Sequence, residues 1–183
     1  MRSFATKLAT VLFGAALAAM PILAQTATID YDHSLNLDKY QTYSWNKIHA
    51  TDPSLISRIS VALNRNLRSK QMTEKSSGSD ITIAVVEASE SKQELVDHYS
   101  GLAGFSWQRG WGSGGFLDSP AKIQEIPLGA LVVDFYDTKT HKLLWRGMVT
   151  DTVVKSGDKY DQRVDKAVNE LISKFPPKFV KSK

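Results

Sequence analysis

The sequence of 183 residues contains no cysteine. A chain without cysteine cannot form a disulfide, bind zinc through thiolates or attack a substrate with a thiol, so these structures and chemistries are excluded. The sequence also lacks a strong excess of one charge, because its formal net charge is only +4. Its apolar share of 42% and charged share of 23% are ordinary for a globular protein, which argues against a disordered or collagen-like chain. The length suits one domain.

Past its first 24 residues the sequence lacks any apolar run long enough to cross a bilayer. Such a span needs about 20 residues. The longest later runs, Ile81–Val86 and Leu128–Val133, have the length of a strand. We therefore expect no transmembrane span after residue 24.

The N-terminus has the three-part layout of a secretory signal peptide. Arg2 and Lys7 form a positive region, an uncharged apolar stretch runs from Leu8 to Met20, and small Ala24 precedes the expected cleavage site. An uncleaved anchor is the alternative, but the apolar stretch is short for a bilayer span of about 20 residues. The composition therefore predicts a signal peptide over 1–24.

Cleavage after residue 24 would leave a single domain over 25–183, ending in a short basic tail. We expect this domain to be exported to the periplasm or the medium and to be soluble there. A lipoprotein would need a cysteine after the cut, so we expect no lipid anchor. The removed segment carries two positive charges and no acid, which lowers the formal charge from +4 to +2. This mild charge argues against nucleic acid as a partner.

Two segments have the apolar periodicity of amphipathic helices. The first covers 53–70, with Asp52 suited to cap its N-terminus and Pro53 to occupy its first turn. The second ends before Pro176, which cannot continue a helix. The predicted buried residues are Leu55, Ile59, Ala62, Leu63 and Leu67 in the first helix and Val164, Ala167, Val168, Leu171, Ile172 and Phe175 in the second.

Short runs of alternating or β-branched residues predict the strands. Because several of them follow one another without helices between, we expect an α+β fold. It would have a single mostly antiparallel sheet of about five to six strands, with the two amphipathic helices packed on one face. The predicted strands cover 28–32, 80–87, 93–100, 128–136 and 142–154. The segment 37–45 is predicted to start with a turn and to continue as a further, aromatic-rich strand, and a turn at 137–141 joins the last two strands into a hairpin.

Several motifs follow one another in a recognisable order along the mature chain. They are Leu37–Trp45, Asp52-Pro53, Leu128–Asp137, Leu144-Trp-Arg-Gly147, Val164–Val168 and Phe175-Pro-Pro177. The pattern resembles domain-of-unknown-function family 4136, which occurs in exported bacterial envelope proteins, and the resemblance covers essentially the whole mature chain. It implies an envelope location but brings no established activity and no catalytic residue. Many relatives look like lipoproteins, which this chain without cysteine does not.

A Gly/Trp-rich loop at 101–116 contains six of the eleven glycines. A mobile arm of this kind could stack its aromatic rings and its arginine on a sugar, a peptidoglycan strand or a partner protein. The alternative, equally favoured, is a hairpin tip whose aromatics fold back on the sheet. The candidate binding residues are Phe105, Trp107, Arg109, Trp111 and Phe116.

Arginines line one face of the first predicted helix. Arg58 and Arg65 are seven residues apart and Arg68 follows three residues later, so all three lie close to one face. Such a stripe could bind anionic lipid head groups or the phosphates of lipopolysaccharide. The alternative, which the sequence favours, is a solvated face whose later cations complement the negative end of the helix.

Catalytic and metal-binding patterns have little support in the sequence. Asp134, Asp137 and His141 could form a weak metal site, but roles in a strand and its turn explain them better. No Gly-x-Ser-x-Gly occurs and no histidine pair has the spacing of a zinc helix. Trp45 and the Trp-Arg-Gly segment at 145–147 are expected to be structural. We expect no catalytic residue, metal or cofactor.

These observations favour an exported, non-enzymatic binding or envelope-associated module. Its partner would be an envelope protein, a glycan or an anionic lipid surface. One alternative is a carrier that holds a small apolar ligand between sheet and helices, and another is a cryptic hydrolase.

Deletion of 104–115 tests the binding arm. We expect the deletion variant to lose partners that the wild-type protein retains in affinity purification from crosslinked envelopes, because three of the four aromatic candidates, Phe105, Trp107 and Trp111, are removed. An unchanged partner set together with an unchanged envelope phenotype would contradict the hypothesis.

Overall fold

The computed structural model describes residues 27–34, 36–50, 52–88, 126–127, 129–150 and 160–176. The predicted signal peptide, the strand predicted at 93–100, the Gly/Trp-rich loop and the C-terminal tail lie outside these residues. The described elements are β1 (Ala27–Tyr31), a 3₁₀ turn (Leu37–Lys39), β2 (Thr42–His49), α1 (Pro53–Ser69), β3 (Thr73–Glu74), β4 (Ile81–Ala88), β5 (Ala130–Asp137), β6 (Leu143–Val149) and α2 (Tyr160–Ser173).

The six strands form one sheet in the order β1-β6-β5-β4-β2-β3. For the part of the chain that the structure describes, the α+β class, the single sheet and the two helices are therefore confirmed. The expectation of a mostly antiparallel sheet is wrong, because the sheet is mixed. β1 with β6, β6 with β5, and β5 with β4 are antiparallel, whereas β2 pairs in parallel with both β3 and β4.

The position of α1 explains the parallel pairing. A hairpin can join only antiparallel neighbours, whereas strands that lie parallel need a crossover between them. α1 supplies this crossover between β2 and β4, which are neighbours with Tyr43 opposite Ile81 and Trp45 opposite Ile83. The strand-helix-strand order was already predicted from the sequence. Because the chain returns along α1 before it enters the sheet again, β4 runs in the same direction as β2.

The ends of α1 are closed by specific hydrogen bonds. As predicted, the Asp52 carboxylate accepts a bond of 2.8 Å from the backbone N–H of Ser54. At the other end the N–H of Met72 donates to the carbonyl of Leu67 at 3.0 Å, which satisfies a carbonyl that the helix leaves free. Gln71, just before Met72, has a φ of 65°. Glycine adopts this left-handed conformation at little cost, whereas another residue pays about 1–2 kcal/mol.

Both helices pack on the same face of the sheet. All the apolar residues predicted to be buried in the two helices are buried, and they form one cluster with alternate residues of the strands. The Tyr43 hydroxyl donates to the Asn64 side chain on α1 at 2.8 Å, and Asn66 donates to Asn169 on α2 at 2.7 Å. None of the helices in the described residues is long and apolar enough to cross a membrane.

Trp145 and Gly147 fit together on the helix-facing side of β6. The Trp145 ring is fully buried, and it lies near Phe135 and Phe175 with ring centroids 5.0 and 5.5 Å away. A Cβ atom on Gly147 would collide with the Trp145 ring and would come within 2.8 Å of Leu171. The glycine is therefore required because the indole ring occupies the space where a side chain would stand.

Gly147→Ala should destabilise the protein by about 1–3 kcal/mol, because an added methyl in a packed core forces displacement. Gly78→Ala is the matched control, since a Cβ there meets nothing within 4 Å and only the φ of 64° opposes it. Urea unfolding of both variants, alone and with Trp145→Phe, measures the coupling. We expect Trp145→Phe to relieve the cost of Gly147→Ala and to leave that of Gly78→Ala unchanged. Additive costs at Gly147 would show that the indole ring is not the cause.

Candidate functional site

Asp134 and Arg146 form a buried ion pair on the sheet face opposite the helices. Strand alternation sends Arg146 to this face between Trp145 and Gly147, directly across from Asp134 on β5. Its Nε and Nη2 atoms donate to the two carboxylate oxygens, and both side chains are almost completely inaccessible. The Tyr136 hydroxyl also donates to Asp134 at 3.3 Å. Both carboxylate oxygens of Asp134 therefore accept hydrogen bonds within the sheet, and the carboxylate is not available to bind a metal ion.

Asp137 organises the turn between β5 and β6, as its residue type predicts. Its Oδ1 accepts bonds from the backbone N–H groups of Lys139 and Thr140 at 3.0 and 2.7 Å. The backbone N–H of His141 donates to the backbone carbonyl of Asp137 at 2.8 Å. The weak metal site considered for Asp134, Asp137 and His141 does not form, and the described residues contain no group of three or more acidic or histidine side chains placed to hold a metal.

Asp80 ties the start of β2 to the start of β4. Its Oδ2 accepts bonds from the Thr42 hydroxyl and from the backbone N–H groups of Gln41 and Thr42, at 2.7 to 3.1 Å. The Thr42 hydroxyl bond is the largest of the effects that hold the pKa of Asp80 below its usual range. The ionised Asp80 carboxylate therefore stabilises the fold at a pH above its unfolded pKa of about 4. This contribution is lost as the pH falls through the lower pKa of Asp80 in the folded state.

Tyr40 lies beside Asp137, although 97 residues separate them in the sequence. Its hydroxyl donates to Oδ2 of Asp137 at 2.9 Å. Burial, followed by this hydrogen bond and the nearby carboxylate charges, raises the pKa of Tyr40 well above its ordinary value. Burial opposes ionisation of Asp137, but bonds from Thr140 and Tyr40 outweigh it and keep the pKa of Asp137 low. At neutral pH a neutral phenol therefore faces an ionised carboxylate.

Two clefts flank Tyr40. The first, of about 310 Å³, lies between Tyr40, the carboxylates of Asp80 and Asp137, and the lysines Lys39 and Lys139. The second, of about 270 Å³, lies where the ends of both helices approach the 3₁₀ turn. Its lining residues are Leu37, Asp38, Tyr40, Gln41, Lys70, Gln71, Met72, Phe175 and Pro176. We call this second space the helix-end cleft.

The predicted arginines lie on the outer side of α1, and acidic groups accompany them. Arg65 is 3.2 Å from Asp165 of α2, with about half of each side chain exposed, and Arg68 is 4.0 Å from Glu74 of β3. Arg58 is half-buried. Hydrogen bonds from Ser54 are the main cause of the lowered pKa of Asp52, and the positive charge of Arg58 makes a smaller contribution in the same direction. The structure therefore places the stripe where the sequence predicts it but adds partners from other elements.

The sequence did not reveal the two clefts around Tyr40. They join segments that are far apart in the chain, and no local pattern marks Tyr40, Asp80 or Gln71 as neighbours. The aromatic candidates of the Gly/Trp-rich loop, Phe105 to Phe116, lie outside the described residues, so their binding role stays a prediction.

The chain matches a known protein family and is similar in fold to a solved structure. The family model "Domain of unknown function (DUF4136)" matches residues 27–177. No curated protein sequence matches the chain. A PDZ domain protein from Parabacteroides distasonis ATCC 8503 is 15% identical, with a TM-score of 0.52 over 84% of this chain. This chain spans only 35% of the length of that protein, and the likeness shows a shared fold alone.

A second structure has a lower similarity. The PelC dodecamer from Paraburkholderia phytofirmans is 9% identical, with a TM-score of 0.48. The alignment covers 82% of this chain and 96% of that chain.

Tyr40→Phe should change how stability depends on alkaline pH. The pKa of Tyr40 is raised in the folded state, so above about pH 10 the unfolded chain ionises first and the wild-type protein loses stability as the pH rises. The phenylalanine variant should lack this component. Near neutral pH it should be less stable by about 0.5–1.5 kcal/mol because its hydrogen bond to Asp137 is lost.

Urea unfolding followed by tryptophan fluorescence between about pH 7 and pH 11 measures both effects. Tyr31→Phe controls for the loss of a tyrosine elsewhere in the sheet. Parallel pH profiles of Tyr40→Phe and the wild-type protein would contradict the argument.

Proposed function

The chain belongs to the DUF4136 family, and since that family model names no activity, we propose a function from the geometry. The protein is an exported, non-enzymatic module of the cell envelope that binds an anionic lipid surface through the outer face of α1. Export rests on the composition of residues 1–24, whose charged and apolar regions are typical of a signal peptide.

One observation carries the proposal, namely the combination of side chains on the outer face of α1. Arg65 and Arg68 are 54% and 70% exposed, and Arg58 lies on the same face at the other end. Between them stands Val61, which is 61% exposed and is a large apolar side chain left outside the core. We call these four residues the α1 outer face. No acidic residue occurs within α1 to offset the three arginines.

The chemistry of this face suits the head groups of anionic lipids. Each basic residue near a negatively charged membrane surface contributes about 1 kcal/mol of attraction. The planar guanidinium group of arginine binds two phosphate oxygens at once, which a lysine ammonium does not. Val61 can rest against the apolar boundary below the head groups, as apolar residues of interfacial helices do.

The acidic partners of Arg65 and Arg68 do not prevent this binding. Exposed ion pairs contribute only about 0–1 kcal/mol, because water and salt screen them. The pairs with Asp165 and Glu74 are 3.2 and 4.0 Å long and lie at the surface. A phosphate that binds in bidentate fashion can therefore replace such partners at small cost.

The rigidity of α1 supports the same proposal. Its inner stripe is buried against the sheet, and its first turn is fixed by Asp52. The arginines therefore stand on a helix whose position the core determines. Their spacing along the surface does not have to be organised when binding occurs, which lowers the entropy cost.

The non-enzymatic part of the proposal rests on how the carboxylates near the clefts are used. Asp80, Asp134 and Asp137 each accept structural hydrogen bonds, and the pKa values of Asp80 and Asp137 are lowered. A general acid needs a pKa near the working pH, which a lowered carboxyl pKa opposes. We expect these groups to stabilise the fold and not to transfer protons to a substrate.

The two alternative functions have less support. A carrier of an apolar ligand would need space between sheet and helices, where the described residues form one buried cluster. A hydrolase would need a nucleophile aligned with a base, and the described polar groups around Tyr40 are joined in structural bonds instead.

Co-sedimentation with lipid vesicles tests the α1 outer face. We expect the purified protein to bind vesicles rich in phosphatidylglycerol and to bind phosphatidylcholine vesicles weakly, with added salt reducing the difference. A variant with Arg58→Gln, Arg65→Gln and Arg68→Gln should lose affinity on the order of 100-fold, since it loses three attractions of about 1 kcal/mol each.

The matched control removes two basic residues from α2, with Arg163→Gln and Lys166→Gln. This variant should retain most of the affinity. Equal binding of the wild-type protein to both kinds of vesicle, or an equal loss in the α2 control, would refute the assignment of the α1 outer face.

A further inference from the structure

Gln71 occupies a position where glycine would fit better. It lies directly after α1 in the left-handed conformation, with a φ of 65°, and its N–H donates to the Arg68 carbonyl at 2.9 Å. Glycine is the usual residue at this place because it has no Cβ to oppose the conformation. Residues held in such conformations tend to occur at binding and catalytic sites, where the side chain is needed.

Gln71 is exposed and is one of the residues that line the helix-end cleft. The residues at the floor of the cleft are buried side chains of Leu37, Tyr40, Met72 and Phe175. Because they already pack against one another, a bound molecule would meet mainly the polar rim. The strained residue and the cleft are independent observations, and both concern the same place.

The described residues that line the cleft carry a balanced set of polar groups. Among them Asp38 supplies a carboxylate and Lys70 an ammonium group, so these two charges oppose each other and favour a neutral ligand. Gln41 and Gln71 supply two amides, and each amide both donates and accepts hydrogen bonds. This combination matches a molecule with many hydroxyl groups, and an amide on that molecule would find complementary partners.

We propose that the helix-end cleft binds one sugar ring of a glycan that carries an acetamido group, and that Gln71 determines this specificity. A cleft of about 270 Å³ is at the small end of ligand sites, which suits a single ring with its neighbours outside. Glutamine is retained at this left-handed position because its amide serves the cleft, at the expense of stability. This site is separate from the α1 outer face and does not depend on it.

Gln71→Gly separates a binding role from a structural one. If Gln71 has no role in binding, the change to glycine should raise stability and leave ligand affinity unchanged. If Gln71 binds the ligand, the same change should raise stability and lower the affinity. We expect the melting temperature to rise by about 2–4 °C, as relief of this strain implies for a chain of this size. Binding of the trimer of N-acetylglucosamine should weaken about tenfold, since a hydrogen-bonding side chain is removed. Gln71→Asn, which keeps an amide and tolerates the left-handed conformation, should retain part of the affinity.

NMR titration of the purified protein measures the binding through the side-chain amide signals of Gln41 and Gln71. We expect the N-acetylglucosamine trimer to shift these signals at millimolar concentration and a glucose trimer to shift them less. Trialanine tests the other class of ligand. Shifts with trialanine alone would overturn the sugar assignment, and no shift with any of the three would overturn the site. Unchanged trimer affinity in Gln71→Gly would overturn the role of Gln71.

Discussion

The contact between Trp145 and Gly147 is the constraint on which the helical layer depends. Both residues face the helices from β6. The indole ring extends over the glycine and lies beside the aromatic rings of Phe135 and Phe175, and Leu171 of α2 also approaches the glycine. The Trp145 indole N–H is buried and meets no acceptor among the described residues. Since an unpaired buried donor costs about 1–3 kcal/mol, the packing of this large ring must outweigh that loss.

Strand alternation makes the same segment serve both faces of the sheet. Trp145 and Gly147 point towards the helices, so Arg146 between them must point the other way. There it meets Asp134, whose two oxygens accept its guanidinium group. Removing one partner from such a buried pair costs about 3–5 kcal/mol, because the other charge is left unpaired. The short Trp-Arg-Gly motif therefore combines a core contact with a buried ion pair, and both are structural.

The sequence predicted those parts of the fold that depend on local spacing. The buried stripe of α1, the Asp52 cap and the turn at Asp137 follow from periodicity and from residue chemistry within a few positions. The parallel pairing of β2 was missed because pairing direction depends on how the chain crosses the sheet. The Tyr40–Asp137 bond was also missed, since no periodicity reports a contact across 97 residues. The arginines were found because they lie on one helix, whereas their acidic partners belong to other elements.

α1 separates the requirements of folding from those of binding. Its inner stripe is committed to the core, and exchange of those residues would disturb the packing against the sheet and α2. Its outer face has no such duty, so the residues there can change with small effects on stability. At its C-terminal end the N–H of Met72 closes the helix, but that backbone hydrogen bond does not require the side chain of Gln71. Arginine at exposed positions carries little cost, whereas Gln71 in a left-handed conformation costs stability. A costly residue that the fold does not need is a stronger sign of selection for binding than an inexpensive one. The left-handed Gln71 is therefore stronger evidence for binding at the helix-end cleft than the exposed arginines are for binding at the α1 outer face.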